Sequence, residues 1–128
     1  MKSETTIWLN YADDNLLSAQ ILLESHLYNP SLQNAQQAIE KFLKTLFIEN
    51  GIKLQKTHSV AVLVEVLRTS GFELSINDDE VDLIDSIYLT SKYPFGSVLA
   101  DFEPDTQICR QCLEIAKTVK RDVLRYLS

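Results

Sequence analysis

The chain has 128 residues, of which 45% are hydrophobic and 23% charged, and it contains only three glycines and three prolines. Average usage would give about fifteen glycines and prolines, so folds with many strands and tight turns are disfavoured, and two cysteines do not make a disulfide scaffold. The formal net charge of −6 argues against a protein that coats nucleic acid non-specifically, because neutralising phosphates requires clustered lysine and arginine.

Two long amphipathic helices are predicted at the start of the chain. The first begins with Ser3 as its N-cap and ends near residues 25–28, because apolar side chains recur at helical spacing. The second restarts at Asn29 and Pro30, since asparagine caps helices and proline is tolerated in the first turn. It ends at Asn50 and Gly51, a common signal for a helix C-terminus.

A third, short helix is predicted from Ser59 or Val60 to about Ser70, with Gly71 behind it. Asn77 offers the N-cap of a fourth helix, whose acidic first turn suits the helix dipole. The apolar residues of this fourth helix cover too wide an arc for one buried face, so part of it is expected to meet a second subunit. These residues are Leu83, Ile84, Ile87, Tyr88 and Leu89.

The fourth helix should end before Pro94, because proline pushes the preceding residue out of the helical region, and residues 92–103 are predicted to form a loop. Pro104 is predicted to start the last helix, whose C-terminal half is basic. One domain, residues 1–128, is therefore expected. Its fold class is all-α, an up-and-down antiparallel bundle of about five helices.

The N-terminus reaches acidic residues before any apolar run forms, which does not fit a secretory signal. The longest uninterrupted apolar run, residues 60–64, is far shorter than a membrane span. A cytoplasmic protein with no membrane partner is the simplest interpretation.

Two clusters could carry chemistry but have simpler explanations. Cys109 and Cys112 have the spacing of a redox motif, yet they fall inside a predicted helix without further metal ligands nearby, so core cysteines are expected. The acidic residues at 78–85 lack the glycine of a calcium loop, and a solvated first turn explains them. No metal or other cofactor is expected.

A third set of polar residues could converge on one groove. Gln37, Lys41 and Lys44 share the polar side of the second helix, His58 precedes the third, and Lys92 with Tyr93 follows the fourth. The alternatives remain open: an ordinary solvated helix face with a Glu40–Lys44 pair, a histidine that bonds only locally, and a tyrosine that packs a loop.

Taken together, the order and spacing of these residues resemble the HEPN domain family over nearly the whole chain. The residues that carry the resemblance are Trp8, Tyr11-Ala12, Asp14, Leu16, Ala19, Leu22-Leu23, Leu27-Tyr28-Asn29, Ala35-Gln36-Gln37-Ala38, Glu40-Lys41, Lys44, Lys56-Thr57-His58 and Tyr93-Pro94. The resemblance implies a helical bundle, frequent homodimerisation, and frequent genetic pairing with a minimal nucleotidyltransferase as a toxin and antitoxin couple. It also implies either metal-independent ribonuclease activity or nucleotide binding.

The ribonuclease branch of that family uses an arginine followed four to six residues later by a histidine, and this chain lacks the motif. Its histidines, His26 and His58, both precede every arginine. The resemblance therefore implies a non-catalytic module that dimerises and binds a nucleotide, RNA or a nucleotidyltransferase partner. Two alternatives are a ribonuclease toxin with a diverged site, in which His58 is the acid or base and Lys92 stabilises phosphate, and a pure protein-interaction module.

Overall fold

The computed structural model of the chain describes residues 1–54, 56–92 and 104–128, with the backbone alone for residues 90–92. These residues form five helices and no strand: α1 (Ser3–Glu24), α2 (Tyr28–Glu49), α3 (Val60–Thr69), α4 (Asp78–Lys92) and α5 (Thr106–Leu127). The predicted all-α class is confirmed. Within the described ranges, none of the helices combines the length and the apolar character that crossing a bilayer requires.

The helix α2 lies at the centre of the bundle. It forms an antiparallel hairpin with α1, in which Ser31 Oγ donates to the Ala19 carbonyl at one end and Lys2 N donates to Glu49 Oε1 at the other. The helices α3, α4 and α5 each contact α2, and α5 also packs on α1. A contiguous apolar core results, with Phe42 and Phe47 of α2 fully buried in it.

Two helix starts predicted from the sequence are wrong. Ser3 is not a cap but the first residue of α1, because Lys2 holds the extended N-cap position while its amide bonds to Glu49. The second helix begins at Tyr28 rather than Asn29, since the turn that closes α1 ends at Leu27 and the Leu27 carbonyl already accepts the first helical bond. Neither start has a side-chain cap.

The last helix also starts later than predicted. Asp105, not Pro104, precedes it, and its carboxylate accepts a hydrogen bond from Ile108 N at 2.9 Å. The predicted starts of the other two helices are confirmed. The third helix begins at Val60, with Ser59 Oγ accepting from Val62 N, and Asn77 caps α4 by accepting from Glu80 N. The predicted 92–103 loop starts one residue too early, because Lys92 is still the last residue of α4, and the rest of that loop lies outside the described residues.

The C-termini of α1, α2 and α3 close in the same way. In each, the residue two positions past the C-cap donates its backbone N–H to the carbonyl of the helix residue five positions earlier, and the residue between has positive φ. Gly51 and Gly71 fill that left-handed position in α2 and α3, but His26 fills it in α1 with φ of 58°. A residue with a side chain is strained at positive φ. The turn that ends α1 therefore costs conformational free energy that the glycine turns after α2 and α3 do not.

Replacing His26 with glycine is expected to raise the free energy of unfolding by about 0.5–1 kcal/mol, because glycine adopts positive φ without strain. The contact between His26 Nδ1 and Tyr28 Oη, at 3.2 Å on the surface, is lost in the exchange. Urea unfolding followed by circular dichroism measures the change. Ser25→Gly, at the neighbouring position with negative φ, is the control and should destabilise. A destabilised His26→Gly protein would mean that the contact with Tyr28 outweighs the strain.

Candidate functional site

Glu40, in the middle of α2, is the centre of a buried polar cluster. Only 4% of the residue is exposed, although it carries a carboxylate. Lys44 Nζ donates to Oε1 at 2.7 Å, and Gln36 Nε2 donates to Oε2 at 3.1 Å. His58 Nδ1 lies 3.1 Å from Oε1 and 3.3 Å from Oε2. Three donors from two segments therefore satisfy one buried carboxylate, which is the condition for keeping a charge inside a protein.

This cluster decides between the two interpretations of the polar side of α2. Gln36 is 2% exposed and Lys44 is 8% exposed, so the Glu40–Lys44 pair is not part of an ordinary solvated face. The Lys44 ammonium also lies 5.9 Å from the centre of the Trp8 ring on α1, within the range of a cation–π contact. The lysine is thus enclosed by a carboxylate and an indole.

The partners of His58 fix how its ring is presented. A carboxylate can only accept, so in the neutral imidazole the proton resides on Nδ1, facing Glu40, and Nε2 remains an acceptor. The His58 side chain is still 55% exposed. One edge of the ring is therefore anchored inside the protein while the rest faces solvent, an arrangement suited to binding or proton transfer.

The backbone on either side of His58 is also held. Thr57 Oγ1 accepts from Ser59 N at 3.0 Å, and the Asp85 carboxylate of α4 accepts from Val60 N at 2.7 Å and from Ala61 N at 3.2 Å. Asp85 thus caps the N-terminus of α3 from another helix. Asp85 is one of the acidic residues at 78–85, so a solvated first turn does not explain that whole cluster.

Tyr88, one turn after Asp85 on α4, stacks on His58 with ring centroids 4.8 Å apart and an interplanar angle of 19°. A groove of about 470 Å³ opens beside the pair. Its lining residues are Lys56, Thr57, His58, Ser59, Asp85, Tyr88 and Leu89. An aromatic platform beside a lysine is suited to a planar ring that carries a negative group.

The sequence-predicted site residues do not all meet at this groove. His58 lines the groove. Lys44 contacts Glu40, and Glu40 in turn contacts His58. Gln37 joins the same polar cluster, since its Nε2 donates to Gln36 Oε1 at 2.9 Å. Lys41 lies apart, with its Nζ donating to Asn15 Oδ1 of α1 at 2.7 Å.

The remaining two predicted residues lie where α4 ends. Lys92 is the last residue of α4, and its side chain is outside the described residues, as is Tyr93. Sequence reasoning missed Asp85 and Tyr88 as site residues. The feature of the sequence that could have indicated them is their spacing: Tyr88 follows Asp85 by three positions and therefore lies on the same face of the helix.

Both cysteines are free and buried, which confirms the expectation of core residues. Cys109 Sγ lies 3.6 Å from the Tyr28 carbonyl oxygen. Burial raises the pKa of the Cys109 thiol, and it raises the pKa of Cys112 to about 12. A redox or thiolate role is disfavoured, because such a role requires a lowered pKa.

Alkylation of the Cys109 and Cys112 thiols by iodoacetamide is expected to be slow in the folded protein. With a pKa of about 12, roughly one Cys112 thiol in three thousand is ionised near pH 8.5, and only the thiolate reacts. Mass spectrometry should therefore detect almost no labelling in buffer and two labels per chain in strong denaturant. Fast labelling of the folded protein near pH 8.5 would contradict the buried placement.

The chain is similar to known proteins over nearly its whole length. A model of the HEPN domain family matches residues 5–126 of the chain. The protein named "Putative toxin MJ1304", from Methanocaldococcus jannaschii, is 24% identical over 136 aligned residues, which cover 95% of this chain and 87% of that protein.

Two solved structures share the fold, each with a TM-score of 0.67. The crystal structure of TT1696 from Thermus thermophilus is 23% identical, and the match covers 97% of this chain and 98% of that one. The crystal structure of ST0689, described as an archaeal HEPN homologue, is 18% identical, and the match covers 100% of both chains. At these identities the two structures establish the fold alone.

Proposed function

Since the chain belongs to the HEPN domain family, we propose that it is a non-catalytic HEPN module that binds a nucleotide in the groove beside His58. The module is homodimeric and is one half of a toxin and antitoxin couple whose other half is a minimal nucleotidyltransferase. The toxin part of the proposal is supported by the name of the Methanocaldococcus jannaschii relative.

The observation that carries the nucleotide proposal is the His58–Tyr88 stack, held on the buried Glu40 carboxylate. A purine or pyrimidine ring gains about 1–3 kcal/mol by stacking on an aromatic platform, and every nucleobase offers such a face. Lys56, on the wall of the same groove, is exposed and can meet a phosphate. Glu40 and Asp85 hold the platform in place before the ligand arrives, so little ordering entropy is lost on binding.

The order of histidine and arginine supports a non-catalytic role. Cleavage of RNA by the family's usual motif needs an arginine shortly before a histidine, and every arginine here follows both histidines. In the described residues, Arg68 lies in the last turn of α3, at the end opposite His58, where its guanidinium donates to the Leu74 and Ile76 carbonyls. The Arg68 guanidinium therefore binds the loop between α3 and α4.

Calorimetric titration of the full chain with ATP, GTP and a short RNA tests this proposal. Binding is expected for at least one nucleotide, and Tyr88→Ala and His58→Ala should each weaken it about tenfold or more. His26→Ala is the matched control, because His26 is exposed and far from the groove in sequence, and it should bind as the original protein does. Absence of binding to all three probes would refute the ligand proposal.

The partner proposal has a separate test. The reading frame beside the gene for this chain should encode a small nucleotidyltransferase, and the two proteins should co-purify when expressed together. Expression of the chain alone should slow growth, and co-expression should relieve it. A chain that neither slows growth nor retains the neighbouring protein on purification would refute this part.

The buried Glu40–His58 contact favours one alternative, a ribonuclease toxin with a diverged site. A carboxylate that fixes the imidazole tautomer leaves Nε2 free to move a proton, and Lys92 would stabilise the phosphate. Incubation with total RNA separates the two functions. Cleavage that His58→Ala abolishes and His26→Ala retains would establish the ribonuclease.

A further inference from the structure

Helix α1 carries apolar side chains on the side that faces away from its own core. Ile7, Tyr11, Leu17 and Ile21 are each more than half exposed, and Leu17 is the most exposed at 60%. They lie opposite the buried face that contains Ala12 and Ala19. The stripe is about 21 Å long, from the rise of 1.5 Å per residue. The exposed Asp14 interrupts the apolar side chains between Tyr11 and Leu17. An apolar stripe of this length with one charge in it is typical of an interaction surface.

A groove of about 360 Å³ runs beside this stripe, between α1 and α5. Its floor is apolar, formed by Leu16, Leu17 and Leu113. Lys117 and Lys120 of α5 line its rim, and Lys120 Nζ is paired with Asp13 Oδ1 at 2.7 Å. Lys117 Nζ lies 3.4 Å from Glu114 Oε1 on the exposed surface of α5. The groove therefore offers an apolar floor with two lysines along one edge, of which Lys120 is paired with α1 and Lys117 is held by an exposed carboxylate of its own helix.

The wide apolar arc of α4 predicts a subunit contact on that helix instead. The structure uses most of that arc inside one chain: Ile84 and Ile87 are buried in the core, and Leu83 packs against it. Leu89, at 40%, is the large exposed apolar side chain of the described part of α4. Among the described residues, α1 therefore exposes more large apolar side chains than α4 does.

We propose that α1 of one copy docks into the α1–α5 groove of a second copy, so that this face is the homodimer interface. The face is self-complementary, as a two-fold interface requires: α1 contributes the apolar stripe and the exposed Asp14, and α5 contributes the basic rim at Lys117. Asp14 of each α1 then meets Lys117 of the opposite α5, while Asp13 and Lys120 remain paired within each chain. The inference rests on the homodimer included in the proposed function and specifies its surface.

Analytical ultracentrifugation of the full chain at micromolar concentration tests the interface. The original protein is expected to be a dimer, and Leu17→Glu should raise the dimer Kd about 100-fold or more, because it places an unpaired charge in the apolar seat. Leu89→Glu, a matched substitution on α4, should leave the dimer intact. Circular dichroism checks that both variants fold. A second pair of variants, Asp14→Lys and Lys117→Glu, should each weaken the dimer, and their combination should restore it.

The measurements distinguish failure of the homodimer from failure of the α1–α5 interface. A monomeric original protein would refute the homodimer itself. A dimer that survives Leu17→Glu, or that Leu89→Glu dissociates, would refute the α1–α5 interface while leaving homodimerisation in place. Failure of the combined Asp14→Lys and Lys117→Glu variant to recover would also refute this docking arrangement.

Discussion

Replacing Glu40 with alanine is expected to lower the free energy of unfolding by about 3–5 kcal/mol, the range observed when one partner of a buried ion pair is removed. The side chains of Lys44 and Glu40 are only 10% and 5% exposed, and their charged atoms lie 2.7 Å apart. Alanine leaves the lysine charge with no carboxylate to offset its lost hydration, and it also removes the acceptor for Gln36 and His58. Urea unfolding monitored by circular dichroism measures the loss.

A double-mutant cycle separates the buried pair from the packing of the side chains. Glu40→Gln and Lys44→Met should each destabilise the protein, because each leaves the other charge unpaired. The combined variant should lose much less than the sum of the two single losses, since no unpaired charge remains. Additive losses, or a loss below about 1 kcal/mol for Glu40→Ala, would show that the pair behaves as a solvent-screened surface pair.

The helices themselves could be predicted from the sequence because their signals are local. Gly51 and Gly71 follow the ends of α2 and α3, and Ser59 is the N-cap of α3, so each of these residues lies within two positions of its helix. His26 shows the limit of this reasoning. The turn that closes α1 takes the same left-handed form as the glycine turns, but the sequence offers no glycine there to indicate it.

The candidate site could be predicted only in part, because burial of a polar face depends on which helices cover it. An i,i+4 pair such as Glu40 and Lys44 has the same spacing whether solvent or another segment lies above it. The residue that organises the start of α3, Asp85, is separated from Val60 by 25 positions. A comparable contact joins Asp122 of α5 to Ser75 N across 47 positions. Such contacts follow from the packing of whole helices, which local patterns do not encode.

Asp85→Ala is expected to destabilise the fold by about 2 kcal/mol, the upper range for loss of a helix cap. Asp85 accepts hydrogen bonds from Val60 N, Ala61 N and Ser59 Oγ, and it also faces the positive end of the α3 dipole. Asp85→Asn should lose less, because the amide oxygen can still accept one backbone bond. Thermal unfolding should show the order original, Asp85→Asn, Asp85→Ala.

The same substitution should weaken nucleotide binding, even under conditions where the variant is fully folded. The Asp85 cap fixes the start of α3, and His58 and its stacking partner Tyr88 lie directly beside it. Without the cap, the two stacked rings adopt many orientations, and fixing one of them on binding costs entropy. We expect about a tenfold loss of affinity by calorimetry. Asp82→Ala is the matched control, since Asp82 is an exposed carboxylate one turn earlier on α4 and does not line the groove. If Asp82→Ala and Asp85→Ala weaken binding equally, the effect comes from the loss of negative charge near the groove, and the cap has no positioning role.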